Sequence, residues 1–149
     1  MNGVRPAPPA RAGLLARLGL RTREQRAWAM YDWAASAFQT TIMVAVFPIY
    51  FIKVAGDGQP IVAGQWWGYA NSAAIAIVAL LSPVLGAVAD FSAGKKRFLG
   101  MFTGLGIAAV AGMYFIQRGD LGLASLLYLA ASIAASGSYV FYESLLPHI

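Results

Sequence analysis

Apolar residues in this chain form four long stretches without a charged side chain, separated by short polar connections. The stretches cover residues 33–52, 58–89, 98–117 and 121–142. A helix that crosses the hydrocarbon core of a bilayer needs about 20 mainly apolar residues. The pattern therefore predicts an all-α membrane protein with four transmembrane helices, at about 31–53, 66–89, 98–117 and 121–142.

The second stretch is longer than one membrane crossing requires. Its first residues, 58–65, contain Gly, Gln and Pro, which favour a turn. Trp66 and Trp67 follow, and tryptophan prefers the membrane interface. We therefore expect residues 58–65 to lie outside the bilayer and the second helix to begin near residue 66.

The charged residues indicate how the helices are oriented. Six of the eleven Lys and Arg residues precede residue 27, and three more form the cluster Lys95-Lys96-Arg97. The other two connections each hold one base and one acid. Basic connections stay on the cytoplasmic side. We therefore expect a multi-pass inner-membrane protein with both termini cytoplasmic, a basic tail at 1–27 and a transmembrane part at 28–149.

Composition excludes several functional classes. Apolar residues make up 59% of the chain and charged residues 11%, against about 25% charged residues in soluble domains. The chain has no Cys, and His148 is its single His, which leaves no donor set for a transition metal and no thiol nucleophile. The net charge of +5 arises from residues that flank apolar stretches. We expect a lipid bilayer as partner, and no enzyme activity, metal, cofactor or nucleic acid.

Two of the predicted helices carry a polar stripe along one face. At 100° per residue, one face of the first helix holds Asp32, Ser36, Gln39, Thr40 and Met43. One face of the fourth holds Ser125, Tyr128, Ser132, Ser136, Tyr139 and Glu143. Lipid cannot satisfy such groups, so the stripes face either neighbouring helices or a water-filled cavity. The Gln39 amide, expected near mid-membrane, favours a cavity, and the residues expected to line it are Gln39, Thr40, Ser132, Ser136 and Tyr139.

Two acidic residues are expected at the cytoplasmic ends of these helices. Asp32 lies near a helix N-terminus, where the helix dipole favours an acid, whereas Glu143 lies at a C-terminus, where the dipole disfavours it. Both are candidates for proton coupling. The alternative for Asp32 is simple stabilisation by the helix dipole, and the alternative for Glu143 is an ordinary interfacial ion pair.

The third helix carries small residues four positions apart, which let two helix backbones approach closely. They are Gly100, Gly104, Ala108 and Gly112. This spacing predicts helix packing rather than chemistry.

The connection between the second and third helices has a pattern of its own. It holds Gly86, Asp90, Gly94, Lys95, Lys96 and Arg97. One interpretation is a basic turn that only sets topology. The pattern also resembles the corresponding signature of the major facilitator superfamily, and that resemblance implies that these six residues form a conformational latch at the cytoplasmic face.

Further segments resemble one branch of that superfamily, the vacuole-effluxer-like proteins, which are bacterial relatives of the fungal autophagy-related amino-acid effluxers. These segments cover residues 28–38, 40–42, 47–50, 67–72, 80–86 and 141–149. The resemblance implies a twelve-helix transporter in two halves, with the first and fourth helices lining a central cavity. The chain would then be an N-terminal fragment of a secondary transporter for a small polar metabolite such as an amino acid, with the C-terminal helices missing.

Two other functions fit a protein with four membrane-spanning helices. One is a membrane assembly or regulatory subunit without transport activity, which would pack through the small residues of the third helix. The other is a small exporter that works as a dimer and needs a membrane-embedded acid in its first helix. Asp32 is expected too close to the interface to serve well as that acid.

Overall fold

A computed structural model of the chain describes residues 22–92 and 94–145. Its four long helices are α1, Arg23–Ala55, α2, Pro60–Phe91, α3, Lys95–Phe115, and α4, Leu121–Glu143. Each is long and apolar enough to cross a membrane. No β-strand occurs within the described ranges. The prediction of an all-α fold with four membrane-spanning helices is confirmed.

The described part of the chain falls into two units, which divide between Ala34 and Ala35. In the described part of the first unit, the N–H of Thr22 donates to Oε1 of Gln25, and the N–H of Gln25 donates to Oγ1 of Thr22, both over 3.1 Å. This reciprocal capping box satisfies two of the free N–H groups at a helix start. The helix therefore begins at Arg23, inside the segment expected to be a tail, and residues 1–21 of that tail lie outside the described residues.

The turns of α1 are not regular throughout. Phe38–Val46 and Phe51–Ala55 are π-helical, and the N–H of Phe47 bonds to the carbonyl of Ile42, five residues earlier. Pro48 stands between the two segments; it has no N–H, and its ring clashes with the carbonyl four residues before it. A π-helical turn holds more residues than the 3.6 of an α-helix, so a 100° wheel misplaces side chains in this region.

Helix α2 starts earlier than the sequence pattern predicted. It begins at Pro60 rather than near residue 66, because a proline in the first turn of a helix loses no hydrogen bond and has a suitable φ. The turn is confined to the residues just before it, where Asp57 and Gly58 have φ values of 42° and 77°. The expectation that all of residues 58–65 form a turn is therefore wrong.

Helix α4 is the centre of the bundle and packs against both α2 and α3. In its most apolar 18-residue window 39% of the residues are buried, against 6% for α3. The ring of Phe102 on α3 lies over Gly137 on α4, where an added Cβ would be 2.8 Å from Phe102 Cγ. Phe141, which stacks on Phe102 with ring centroids 5.8 Å apart, is fully buried.

The small residues of α3 have a smaller part in this packing than their spacing predicted. A Cβ added at Gly100 or Gly104 would meet no described atom within 4 Å, and Ala108 is exposed. Only Gly112 of that series meets a neighbour, the Leu127 side chain, whose Cδ2 would be 2.9 Å from the added Cβ. Spacing alone does not fix which face of a helix meets its partner, and here α3 turns a neighbouring face to α4.

Hydrogen bonds join the α3–α4 connection to the end of α1. The Tyr50 hydroxyl donates to the carbonyl of Ile116 over 3.0 Å. The N–H of Gly119 donates to the carbonyl of Ala55, also over 3.0 Å. Gly119 has a φ of 86°, which a residue with a side chain rarely adopts. These bonds hold α1, α3 and α4 together at one end of the bundle.

Candidate functional site

A partly open cavity of about 430 Å³ lies between α1, α2 and α4, and the lining residues Val44 and Ile75 are exposed. The residues that line it are Gln39, Met43, Val44, Asn71, Ala74, Ile75, Val78, Ala79, Tyr128, Ser132, Ala135, Ser136 and Tyr139. The polar members come from all three helices, and the apolar members lie between them. The cavity therefore combines apolar walls with a few convergent hydrogen-bonding groups, as small-molecule sites in proteins do.

The geometry of α1 decides which of its side chains reach the cavity. Gln39, Met43 and Val44 line it, whereas Thr40 does not. In an α-helix Val44 would lie about 140° from Gln39 around the axis. In a π-helical turn, whose hydrogen bonds join residues five positions apart, the residue five positions later lies on the same side of the helix as the first. The π-helical segment therefore brings Val44 to the face of Gln39, which a regular helical wheel does not predict.

The residues expected on α4 all reach the cavity. Ser132, Ser136 and Tyr139 belong to its lining. With Gln39, four of the five expected cavity residues are brought together, and Thr40 is left outside. Whether any of them contacts a transported molecule stays a prediction.

The serines of α4 divide into two groups. Ser125 donates to the carbonyl of Leu121 over 2.7 Å, and Ser138 donates to that of Ala135 over 2.8 Å. The protons of these two hydroxyls are donated within their own helix. Ser132 and Ser136 line the cavity and make no hydrogen bond to any described residue. Their hydroxyls are therefore available to water or a ligand.

Two polar residues of the cavity were not selected from the sequence as site residues. Tyr128 donates its hydroxyl proton to Oδ1 of Asn71 over 2.8 Å, and the two lie 57 positions apart in the chain. Tyr128 belongs to the polar stripe of the fourth helix, so its place on that face was visible. Its partner was not, because only the packing of α2 against α4 brings Asn71 to it.

An aromatic cluster borders the cavity where Tyr128 lies. It consists of Phe47, Phe51, Trp67 and Tyr128. The rings of Phe47 and Tyr128 are nearly parallel, at 4° with centroids 5.7 Å apart, and the Trp67 ring is 4.7 Å from that of Tyr128. Phe51 is fully buried. Three helices thus meet in one apolar contact that fixes the orientation of the Tyr128 ring.

In the part of the chain that the structure describes, no charged side chain takes part in the cavity lining. Glu143, the last residue of α4, is exposed and lies outside it. Asp32 is exposed in the first unit. Among residues 22–92 and 94–145, no group of three or more His, Cys, Asp or Glu side chains is placed to hold a metal ion. The cavity is suited to hydrogen bonding and apolar contact.

The residues expected to form a latch lie around the α2–α3 connection. Lys95 donates from Nζ to the carbonyl of Ser144 over 3.2 Å, which joins the start of α3 to the end of α4. Asp90, Lys96 and Arg97 are exposed. Added Cβ atoms at the two glycines of this set, Gly86 and Gly94, would meet no described atom within 4 Å.

Comparison with known proteins gives the family. Residues 63–149, more than half of the chain, match the family described as "Vacuole effluxer Atg22 like". The chain is also 35% identical, over 127 residues, to the "uncharacterized MFS-type transporter YxiO" of Bacillus subtilis (strain 168). That match covers 84% of this chain and 30% of the relative, so the chain spans about a third of the relative's length. No solved structure matches. The resemblance derived from the helix motifs is confirmed, and the chain belongs to the vacuole effluxer Atg22-like family of MFS-type transporters.

Proposed function

We propose that this chain forms part of the substrate pathway of a secondary transporter that moves a small polar metabolite across the cytoplasmic membrane by alternating access. The observation that carries the proposal is the cavity of about 430 Å³ between α1, α2 and α4. Polar groups inside a membrane are costly unless they have partners or line a path for water or substrate. The hydroxyls of Ser132 and Ser136 line the cavity and make no hydrogen bond to a described residue. They therefore support a path for water or substrate.

Amino acids are the candidate substrates. The family that the chain matches is named after a vacuole effluxer. The motifs of this chain also resemble those of autophagy-related amino-acid effluxers. Gln39, Ser132, Ser136 and Tyr139 are proposed to contact the substrate in the cavity. Thr40 is a weaker candidate, because it is not part of the lining.

The membrane orientation is part of the proposal. The basic residues before α1 and at Lys95–Arg97 favour a cytoplasmic position for both ends of the chain. Asp90 and the basic cluster would then form a latch at the cytoplasmic face, supported by the bond from Lys95 to the end of α4. Asp32 and Glu143 remain the acidic candidates for proton coupling.

The test is a flux measurement with the full-length protein that carries this sequence, reconstituted in liposomes. Sequencing of its gene beyond the codon for Ile149 defines the chain to express. Uptake of a radiolabelled amino-acid mixture, with and without an imposed proton gradient, is then compared with that of empty liposomes. We expect saturable uptake above the empty-liposome level.

A variant pair ties flux to the cavity. Ser136→Phe fills the space between α2 and α4 and should abolish uptake. Gly100→Ala adds one methyl group where no described atom lies within 4 Å, and should leave uptake unchanged. Flux that survives Ser136→Phe would remove the cavity from the pathway, and an absence of saturable flux for the whole mixture would overturn amino-acid transport.

A further inference from the structure

One end of the cavity is defined by the contact between Asn71 and Tyr128. The Tyr128 ring is held between Phe47 and Trp67, with centroid distances of 5.7 and 4.7 Å, and only 8% of the residue is exposed. A ring fixed in this way has one direction for its hydroxyl. That hydroxyl donates to Oδ1 of Asn71 over 2.8 Å, so the position of the Asn71 amide is fixed as well.

The hydrogen bond leaves a defined set of groups for a ligand. The side-chain amide of Asn71 carries two N–H donors. Within the described part of the chain, nothing accepts a hydrogen bond from its Nδ2. The proton of Tyr128 is engaged, so its oxygen can only accept. Both residues line the cavity. The cavity therefore presents donors on Asn71 beside an acceptor on Tyr128.

The chemistry of this pair selects the kind of group that it can bind. A hydroxyl or a carboxamide both accepts and donates, and can satisfy the two residues together. A carboxylate would meet the lone pairs of the Tyr128 oxygen, and an ammonium group would meet the N–H groups of Asn71. Among the described residues that line the cavity, none carries a charge that could compensate either ion, and an uncompensated charge in a membrane interior is costly.

We infer that Asn71, positioned by Tyr128, anchors a neutral hydroxyl or carboxamide group of the transported molecule. This inference rests on the proposed transport function and adds the chemistry of one contact. Asn71 is the binding residue, and Tyr128 is a positioning residue that also accepts a hydrogen bond.

The test uses protection of a cysteine in the cavity. The described chain has no Cys, and any cysteine elsewhere in the full-length protein is replaced. Ala135→Cys then places a single thiol in the lining. Its rate of labelling by N-ethylmaleimide is measured in membrane vesicles with L-threonine or L-valine, which differ by a hydroxyl against a methyl group. L-glutamine and L-glutamate form a second pair, a carboxamide against a carboxylate.

We expect threonine and glutamine to give half-maximal protection at concentrations about five- to tenfold lower than valine and glutamate. This factor corresponds to one net hydrogen bond. Asn71→Leu should remove both preferences. Tyr128→Phe keeps the ring in the aromatic cluster. It should raise the concentration of threonine that gives half-maximal protection and leave the corresponding concentration of valine unchanged.

Tyr50→Phe is the matched control. It also deletes one tyrosine hydroxyl and one hydrogen bond, the 3.0 Å bond to Ile116, but Tyr50 is not part of the cavity lining. The threonine preference should therefore survive in this variant.

The outcomes separate this inference from the proposed function. Equal protection within each pair, or a preference that survives Asn71→Leu, would overturn the anchoring role and leave transport in place. Saturable flux without protection by any probe would do the same. An absence of both protection and flux would overturn the two together.

Discussion

Lys95 and Ser144 are 49 residues apart in the chain, yet Nζ of Lys95 donates a hydrogen bond to the Ser144 carbonyl over 3.2 Å. Ser144 is the C-cap of α4. The last carbonyls of a helix lack partners within it and form the negative end of its dipole. The cation of Lys95, the first residue of α3, therefore stabilises the end of α4, the most buried helix of the bundle. Glu143 directly precedes Ser144 in the chain.

Replacing this cation should weaken the joint between α3 and α4. Lys95→Met keeps the apolar stem and removes the charged donor, and should cost about 1 kcal/mol of stability. That cost corresponds to a drop of roughly 2–4 °C in the unfolding temperature of a chain of this size. Thermal unfolding in detergent measures it. Lys96→Met, at the exposed neighbour, is the control, and an equal shift in both variants would contradict the capping role.

Packing at Gly137 gives a second prediction. Gly137→Ala would force a Cβ to within 3 Å of the Phe102 ring, and overpacking of this kind costs about 1–3 kcal/mol. We expect a lower unfolding temperature in detergent. Gly104→Ala, with no described atom within 4 Å of the added Cβ, should leave it unchanged or raise it.

A double variant tests whether the Phe102 ring is the cause of that loss. Phe102→Leu combined with Gly137→Ala should recover part of the stability that Gly137→Ala alone removes. If the two losses simply add, the contact between Phe102 and Gly137 does not limit the packing of α3 on α4.

The orientation can be measured with two matched cysteine variants. Lys96→Cys and Arg118→Cys each replace an exposed basic residue near a connection. On intact cells, a membrane-impermeant maleimide should label only Arg118→Cys. Lys96→Cys should react after the membrane is permeabilised. The reverse pattern would place the two termini of this chain outside the cytoplasm.

The π-helical part of α1 leads to a prediction about Pro48. Pro48→Ala supplies the missing N–H and removes the ring that clashes with the carbonyl of residue 44. The turn should tighten towards 3.6 residues, which rotates Val44 away from the cavity. In a Val44→Cys background, N-ethylmaleimide labelling should slow several-fold. Ser132→Cys, on α4, should keep its rate, and equal slowing of both would indicate collapse of the cavity instead.

The sequence was sufficient to predict the number of helices and their approximate positions, because each helix is a long apolar stretch. The sequence also contained a signal for the start of α1 at Arg23, which lies before the first stretch without charged residues. Thr22 and Gln25 stand three positions apart and form a capping box. A count of apolar residues misses such a start, because the first turns of the helix are polar.

The candidate site could be predicted only where the helix is regular. On α4 the 100° spacing holds, and Ser132 and Ser136 lie on the predicted face. On α1 the spacing places Gln39 and Met43 correctly but does not predict Val44, because the turns widen beyond Phe38. Asn71 needed tertiary information, since its partner is on another helix and no pattern along the chain joins them.

The hydrogen bonds between the α3–α4 connection and the end of α1 have a consequence for biogenesis. Helices enter the membrane in order during synthesis, so α1 and α2 are inserted before Ile116 and Gly119 reach their places beside α1. Until then the Tyr50 hydroxyl and the Ala55 carbonyl lack their native partners. The α1–α2 hairpin is therefore an incomplete intermediate, and it gains these two hydrogen bonds only when α3 and α4 have entered the membrane.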